Sequence, residues 1–312
     1  MNKIAVVTGA NRGLGLAIVK ELLKRHPNWT VYLTARSRDR GLESVQQISR
    51  EMDVMPSFHE LDVRSVASVQ AFSSHLRSRQ RRIDILINNA GVFPKQCQIN
   101  LYHAAPKQRQ VFTYDLKMVR QIVNTNFFGT LNVCRQLIPL LSDDSRVINV
   151  SSSLSQLAFN QLTPQLQEAI RNCRSIDDVS CLINAFLALP PTHYVKSGWM
   201  SKLFDEYGCF YGDVVPYGLS KIGINLITQI FQRNLDTENT NRLDRNIIIN
   251  SCSPGTFRSE TKLYGRRWAQ EGAQLVYNIA STPSNSILRG QYVHDRRIED
   301  PFTGVAIRNS YF

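Results

Sequence analysis

Ile4-Ala5-Val6-Val7-Thr8-Gly9-Ala10-Asn11-Arg12-Gly13-Leu14-Gly15 is the stretch that decides the fold. A short apolar run enters a turn with three glycines. The chain from Leu14 to Arg25 then carries Leu16, Val19, Leu22 and Leu23 at helical spacing. Strand, glycine-rich turn and helix in that order form a seat for a dinucleotide pyrophosphate. Glycines let the backbone approach the phosphates, and the helix start offers unpaired N–H groups and a positive dipole end. A turn used only for packing carries the same residues, so the pattern around it has to decide.

That pattern repeats. The periodicity predicts further strands at Thr30 to Thr34, Phe58 to Leu61, Ile83 to Ile87 and Arg146 to Val150. It predicts helices at Gly41 to Met52 and Val66 to Arg77, and one long helix from Val119 to Leu141. Short apolar strands alternating with helices imply an α/β fold, a Rossmann-type doubly wound parallel sheet covered on both faces. Tyr217 to Asn234 is predicted as a further long helix, and Arg245 to Ser251 as a sixth strand. Between the fifth strand and that helix lies an insertion of about 153–216, with helices expected at Thr163 to Arg174 and Asp177 to Leu189. No repeat or low-complexity linker divides the chain, so residues 1–312 are expected to form a single domain.

Composition narrows the class. The chain has 312 residues, 43% hydrophobic and 20% charged, as globular proteins do. Met1 runs directly into the first strand, and the apolar stretch Ile183 to Leu189 stops at Pro190-Pro191. That is far short of the ~20 residues a membrane helix needs, so a cytoplasmic protein is expected. The six cysteines form no C-x-x-C pair and sit beside no histidines at ligand spacing. Reduced thiols and no metal are expected. The net charge of +12 is scattered rather than clustered on a recognition motif, which argues against nucleic acid as partner.

Cofactor choice is read from two arginines. NAD sites place a carboxylate at the end of the second strand, roughly 20 residues past the glycine turn, for the ribose hydroxyls. This chain has Ala35-Arg36 there, and Arg12 inside the turn. Two guanidinium groups would pair with a 2′-phosphate, where a carboxylate would repel it. Solvated arginines are the alternative; their placement on both turns flanking the ribose favours NADPH/NADP.

Tyr217 and Lys221 are four residues apart, and of all the tyrosines only Tyr217 has that lysine partner. On a helix the two share a face. A phenol titrating near ~10 is a poor proton donor at neutral pH, and a neighbouring ammonium would lower it. Ser152 follows the fifth strand, whose C-terminal end faces the ligand crevice, and a hydroxyl there can hold a substrate oxygen. A turn or helix cap is the alternative for a serine run.

The spacing of Gly9, Gly13 and Gly15 with Thr8 and Asn11 resembles the glycine motif of the short-chain dehydrogenase/reductase family. The likeness spans nearly the whole chain. Leu61-Asp62-Val63 is similar to that family's adenine-side contact, and Asn88-Asn89-Ala90-Gly91 to its fourth-strand motif. Thr34-Ala35-Arg36, Thr125-Asn126-Phe127-Phe128-Gly129-Thr130, Tyr217-Gly218-Leu219-Ser220-Lys221 and Gly290-Gln291-Tyr292-Val293 resemble the family's monomeric carbonyl reductases. The resemblance implies NADPH-dependent reduction of small-molecule carbonyl compounds (ketones, aldehydes, quinones), with Tyr217 as proton donor. It selects Ser152 from its serine run, gives Lys221 a hold on the nicotinamide ribose, and gives Asn126 a water-linked relay to Lys221. It further implies cofactor contacts from Gly9, Asn11, Arg12, Gly13, Leu14, Gly15, Arg36, Asp62, Val63, Asn89, Ala90, Gly91, Tyr217 and Lys221. Pro254, Gly255, Phe257 and Arg258 resemble the loop that covers the nicotinamide, although Thr256 stands where relatives often have an aromatic residue. An inserted helical segment in such reductases covers the surface that others use to dimerise, so a monomer is expected. The chain departs from the pattern at residues 95–113 and 204–215, where a lid, a substrate wall or plain surface packing could form. A non-catalytic NADP(H)-binding sensor or scaffold and an extended-branch epimerase are the rival classes. The intact Tyr217, Lys221 and Ser152 weigh against the first, and the length and glycine spacing against the second.

Overall fold

The computed structural model describes residues 2–93, 116–188, 211–239, 245–255, 257–258, 267–283 and 286–308. In chain order, β1 (Ile4–Val7), α1 (Gly13–Arg25), β2 (Thr30–Ala35), α2 (Arg38–Met52), β3 (Ser57–Glu60), α3 (Val66–Ser78) and β4 (Ile83–Asn88) alternate strictly. Then follow α4 (Leu116–Val123), a π-helical turn (Asn124–Phe128), α5 (Gly129–Leu137), a short 3-10 turn (Ile138–Leu140) and β5 (Leu141–Val150). The insertion contributes α6 (Leu154–Gln161), α7 (Pro164–Asn172) and α8 (Ile176–Ala188), and leads to the long α9 (Tyr211–Asn239). The chain continues as β6 (Ile248–Ser253), β7 (Phe257–Arg258), β8 (Arg267–Trp268), α10 (Ala269–Ala280), β9 (Tyr292–His294), β10 (Arg297–Glu299) and β11 (Ala306–Arg308).

Nine strands form one sheet in the order β11-β10-β9-β6-β5-β4-β1-β2-β3, and β7 pairs with β8 apart from it. From β3 through β9 every pairing is parallel; β10 and β11 close the far edge in antiparallel register. Side-chain alternation explains why the strands read as continuous apolar runs. Ala5 and Val7 join a core with α1, α2 and α10 on one face. Ile4 and Val6 join another with α3 and α5 on the other. Burial on both faces leaves no polar face to show in the sequence.

Several expectations need correction. The long helix from Val119 to Leu141 is broken by the π turn and ends before Pro139, which cannot donate to a helix ladder. Leu141 already belongs to β5, which pairs with Ile83 of β4. The catalytic-helix candidate starts at Tyr211 rather than Tyr217 and runs through Pro216. Strand six lies at Ile248–Ser253, later than expected. Helices α6 and α10 and the terminal strands have no counterpart among the expectations; α6 and the strands are short, whereas α10 buries Ala273, Val276, Ile279 and Ala280 on one face at a spacing the sequence does carry. Residues 95–113 and most of 204–215 lie outside the described residues.

Candidate active site

The turn after β1 is fastened to the ends of the strands on either side. Thr8 Oγ1 accepts from the backbone N–H groups of Asn89 and Ala90, both at 3.0 Å. Asn89 Nδ2 donates to the carbonyls of Thr8 (2.8 Å) and Gly9 (3.2 Å). On the other side Ala10 N donates to Thr34 O, and Ser44 Oγ of α2 donates to Asn11 O, each at 2.8 Å. Gly9 holds φ +63°, and a Cβ there would lie 2.8 Å from Ala90 Cα. Gly15 backs onto the Gly9 carbonyl with no room for a side chain. Thus Asn89, Ala90 and the glycine turn form one rigid unit.

Gly13 differs. It also has positive φ, +57°, yet a Cβ there would meet nothing within 4 Å. Open space therefore lies directly above the first turn of α1. Arg12, the N-cap, makes no capping bond with its side chain, and no acidic residue lies in that turn. The helix start thus keeps backbone donors for an outside anion, and a pyrophosphate fits there. Arg12 and Arg36 are both exposed on adjacent turns. Arg36 is close enough to Asp62 to help hold that carboxyl below its usual range. The larger cause is the paired bond from Arg64, with Nε and Nη2 at 3.0 and 2.7 Å from the carboxylate oxygens. Asp62 is therefore already engaged, and Val63 is buried with its carbonyl bonded to Asn132 Nδ2 at 3.0 Å.

Across the crevice, the ends of β5 and β6 meet α9. The Ser152 hydroxyl accepts from Leu154 N at 3.2 Å and lies near enough to the Tyr217 phenol to act on its titration. Its neighbours have other partners: Ser151 Oγ donates to Lys221 O at 3.3 Å, and Ser153 N donates to Ser253 Oγ at 3.0 Å. Lys221 Nζ lies 5.5 Å from the Tyr217 ring centroid and donates to Val150 O at 2.8 Å. Burial pulls Lys221 down to about 8, against a small opposing effect of Cys252. Tyr217 keeps partial exposure, yet desolvation pushes its phenol up to about 12, and the nearby Ser152 hydroxyl offsets only part of this. The expected lowering of the phenol by Lys221 is thus not the governing effect in the protein alone. Desolvation governs, and Ser152 is the group that acts against it.

Asn126 sits in the π turn, a distortion that recurs at functional sites. It is fully buried. Its Oδ1 accepts from Val92 N (2.8 Å), and its Nδ2 donates to Val92 O (3.0 Å) and Ser220 Oγ (3.1 Å). The amide therefore locks the segment after β4 against α9. A Cβ on Gly91 would lie 3.3 Å from Asn126 Oδ1 and 3.7 Å from Lys221 Nζ.

All these groups stand at the C-terminal ends of β1, β4, β5 and β6, on the side where open parallel sheets bind ligands. Pro254 and Gly255, with Gly255 at φ +96°, continue β6 into the same region. Phe257 and Arg258 form the short strand β7, and their side chains lie outside the described residues. Three residues here go beyond the expected set. Phe93 packs edge-on against Tyr217 with centroids 4.7 Å apart; it lies two residues past the Asn88–Gly91 motif. Ser155 and Asn225 brace the Ser152 turn; Asn225 is one helical turn past Lys221, a spacing that could have found it. Among the described residues no cluster of three or more metal-ligating side chains occurs, and no helix is long and apolar enough to cross a membrane.

Comparison with known proteins agrees with this geometry. Residues 3–164 match the family model for short chain dehydrogenase. The chain is 33% identical over 301 residues to carbonyl reductase (NADPH) 1 of Rattus norvegicus, covering 95% of this chain and 97% of the relative. It is 32% identical over 305 residues to carbonyl reductase (NADPH) 3 of Homo sapiens, covering 96% and 98%. Among solved structures, salutaridine reductase from Papaver somniferum superposes with a TM-score of 0.74 at 24% identity, covering 94% of this chain and 100% of that one. Menthone neomenthol reductase from Mentha piperita gives 0.71 at 23% identity, covering 94% and 99%. Those two likenesses are of fold. The family match over the nucleotide half, and identity sustained from end to end, place this chain in the short-chain dehydrogenase/reductase family.

Proposed function

We propose that the chain reduces carbonyl groups of small molecules to alcohols, with NADPH as the hydride source and Tyr217 as the proton donor. One observation carries the reading: the buried Lys221 Nζ 5.5 Å from the Tyr217 ring centroid, with Ser152 beside the phenol, across the crevice from the glycine turn. The names of the relatives, carbonyl reductases using NADPH, support both halves of it.

The cofactor's diphosphate would rest on the start of α1 above Gly13, with Arg12 and Arg36 at the 2′-phosphate. Asn11 and Leu14 would line the same turn. Asp62 and Val63 would border the adenine, and Asn89, Ala90 and Gly91 the ribose. Pro254, Gly255, Phe257 and Arg258 would cover the nicotinamide, and Lys221 would reach its ribose. When bound, the cofactor supplies a hydride to the carbonyl carbon. The chain's residues manage the oxygen. Ser152 holds it and stabilises the charge that develops there. Tyr217 transfers its phenolic proton to it. Lys221, as an ammonium, favours the phenolate left behind. Asn126 holds the Gly91–Val92 segment against α9, so that the lysine keeps its place.

The test is NADPH oxidation with a panel of quinones, aldehydes and ketones. Tyr217→Phe should lower kcat on the order of 10²–10⁴-fold, the usual worth of a positioned proton donor, with NADPH affinity kept. Turnover near wild type in that variant would overturn the mechanism. Tight NADPH binding without turnover of any carbonyl would favour a sensor. Arg36→Asp should shift preference toward NADH by on the order of 10- to 100-fold, since a charge-assisted contact is worth roughly 1.5–3 kcal/mol; unchanged preference would remove Arg36 from the 2′-phosphate.

A further inference from the structure

We propose that Asn225 is a positioning residue that aims the Ser152 hydroxyl, acting through Ser155. The inference rests on reading Ser152 and Tyr217 as the reacting pair. Tyr217, Lys221 and Asn225 follow at four-residue steps along α9, so they share one helix face. Asn225 is 1% exposed. Its Nδ2 donates to Ser155 Oγ at 3.2 Å. Ser155 Oγ donates to Ser152 O at 2.7 Å, and Ser155 N donates to the same carbonyl at 3.0 Å. A hydroxyl has one proton. With that proton on Ser152 O, Ser155 can only accept from Asn225, which sets the direction of every bond in the chain. At its other end Ser152 Oγ accepts from Leu154 N at 3.2 Å and meets Tyr217. The helix carrying the proton donor thus also grips the turn carrying its partner.

Stability gives no reason for an amide at this position. Asparagine is a poor residue inside a helix. Asn225 Oδ1 is buried with no partner, and an unmade buried acceptor carries a desolvation cost. An apolar side chain of similar size would suit the site better. Local rules broken without a stabilising gain tend to mark functional sites. The contact Asn225 does make leads straight to Ser152, and a misplacement of about 1 Å in such a group costs up to on the order of 10²-fold in rate.

The experiment compares wild type, Asn225→Leu, Ser155→Ala and the double variant, with Asn225→Ala as the form that adds no bulk should leucine fold poorly. Asn225→Leu is expected to keep or raise Tm, keep NADPH affinity, and lower kcat about tenfold. Ser155→Ala should lower kcat likewise, and adding Asn225→Leu to it should cost nothing more, since one path carries the effect. Wild-type kcat in both Asn225 variants, or an equal loss with and without Ser155, would overturn the proposal. Amide hydrogen exchange at Leu154 and Ser155 reads the same bracing without turnover: it should quicken in Asn225→Leu while the α9 core stays protected. If wild type reduces no carbonyl, the functional reading fails. Quickened exchange would still uphold the bracing, and unchanged exchange would end it.

Discussion

At the scale of single residues, burial governs the chemistry of Tyr217 and Lys221. Both are pushed toward their neutral forms, the phenol up to about 12 and the ammonium down to about 8. The lysine's lowered value has a consequence for folding. The unfolded chain keeps the proton on Lys221 until its ordinary value of 10.5, while the folded chain releases it near 8. Between those values the unfolded state binds more protons, so stability from this group rises with pH. It is fully present above 10.5 and lost as pH falls through 8. Lys221→Met removes the titration. The unfolding free energy of wild type relative to Lys221→Met should therefore climb by up to ~3 kcal/mol from about pH 8 to about pH 10.5, since a tenfold change in proton affinity is worth about 1.4 kcal/mol. Denaturant unfolding of both proteins across that range measures it, and a flat difference would mean that Lys221 is not desolvated as this geometry requires. That lysine tunes tyrosine is an expectation from spacing alone. Spacing places the two on one helix face, but desolvation depends on what β5, β6 and the Ser152 turn add around them.

At the scale of elements, legibility follows burial. Strands β1 and β4 are readable because they are apolar on both faces, as Ile4 and Val6 against Ala5 and Val7 illustrate; β3, Ser57–Glu60, is only partly buried and is legible mainly from its place between helices. The segment Val119 to Leu141 misleads because α-helix continues on both sides of the π turn with no proline to mark it, and because β5 begins directly after a 3-10 turn. β9, β10 and β11 have three residues each, too few for a period to show. In the serine run, the position that meets Tyr217 follows from family resemblance, since spacing alone leaves Ser151, Ser152 and Ser153 equivalent. The glycine turn is legible as a motif, but its division of labour is not. Gly9 and Gly13 both hold positive φ, and only Gly9 is enclosed. Gly9→Ala should lose roughly 1–3 kcal/mol from backbone strain alone, and more from the clash with Ala90. Gly13→Ala should show the strain without the clash, and its methyl group would enter the proposed phosphate seat. Tm should thus fall further for Gly9→Ala, while Gly13→Ala should show the larger loss of NADPH affinity per degree of Tm lost. Calorimetric titration beside thermal melting separates the two, and equal ratios would deny Gly13 a place at the phosphates.

At the scale of the whole molecule, the insertion decides what α9 can meet. Ile170, Val179, Ile183 and Phe186 of α7 and α8 pack in one core with Leu219, Ile222 and Leu226 of α9, with Phe127 of the π turn and with Val123 just before it. Among the described residues the apolar face of α9 is thus covered by the insertion, and we propose that it does not pair with a second subunit. A single copy of 35.5 kDa is the expected species. Sedimentation equilibrium at micromolar concentration checks this, and a particle of twice that mass would mean that another surface pairs. The same packing sets the insertion against the helix that carries the proposed proton donor. Phe186 is 2% exposed, so Phe186→Ala should cost about 3–5 kcal/mol, as emptying a buried aromatic site usually does. The cavity opens against α9. Its effect should therefore reach Tyr217 and Lys221 before it reaches the glycine turn, which rests on α1, α2 and the far core. At a temperature where the variant remains folded, carbonyl reduction should fall while NADPH affinity holds. A parallel loss of both would mean that the insertion stabilises the domain as a whole and does not brace the catalytic helix in particular.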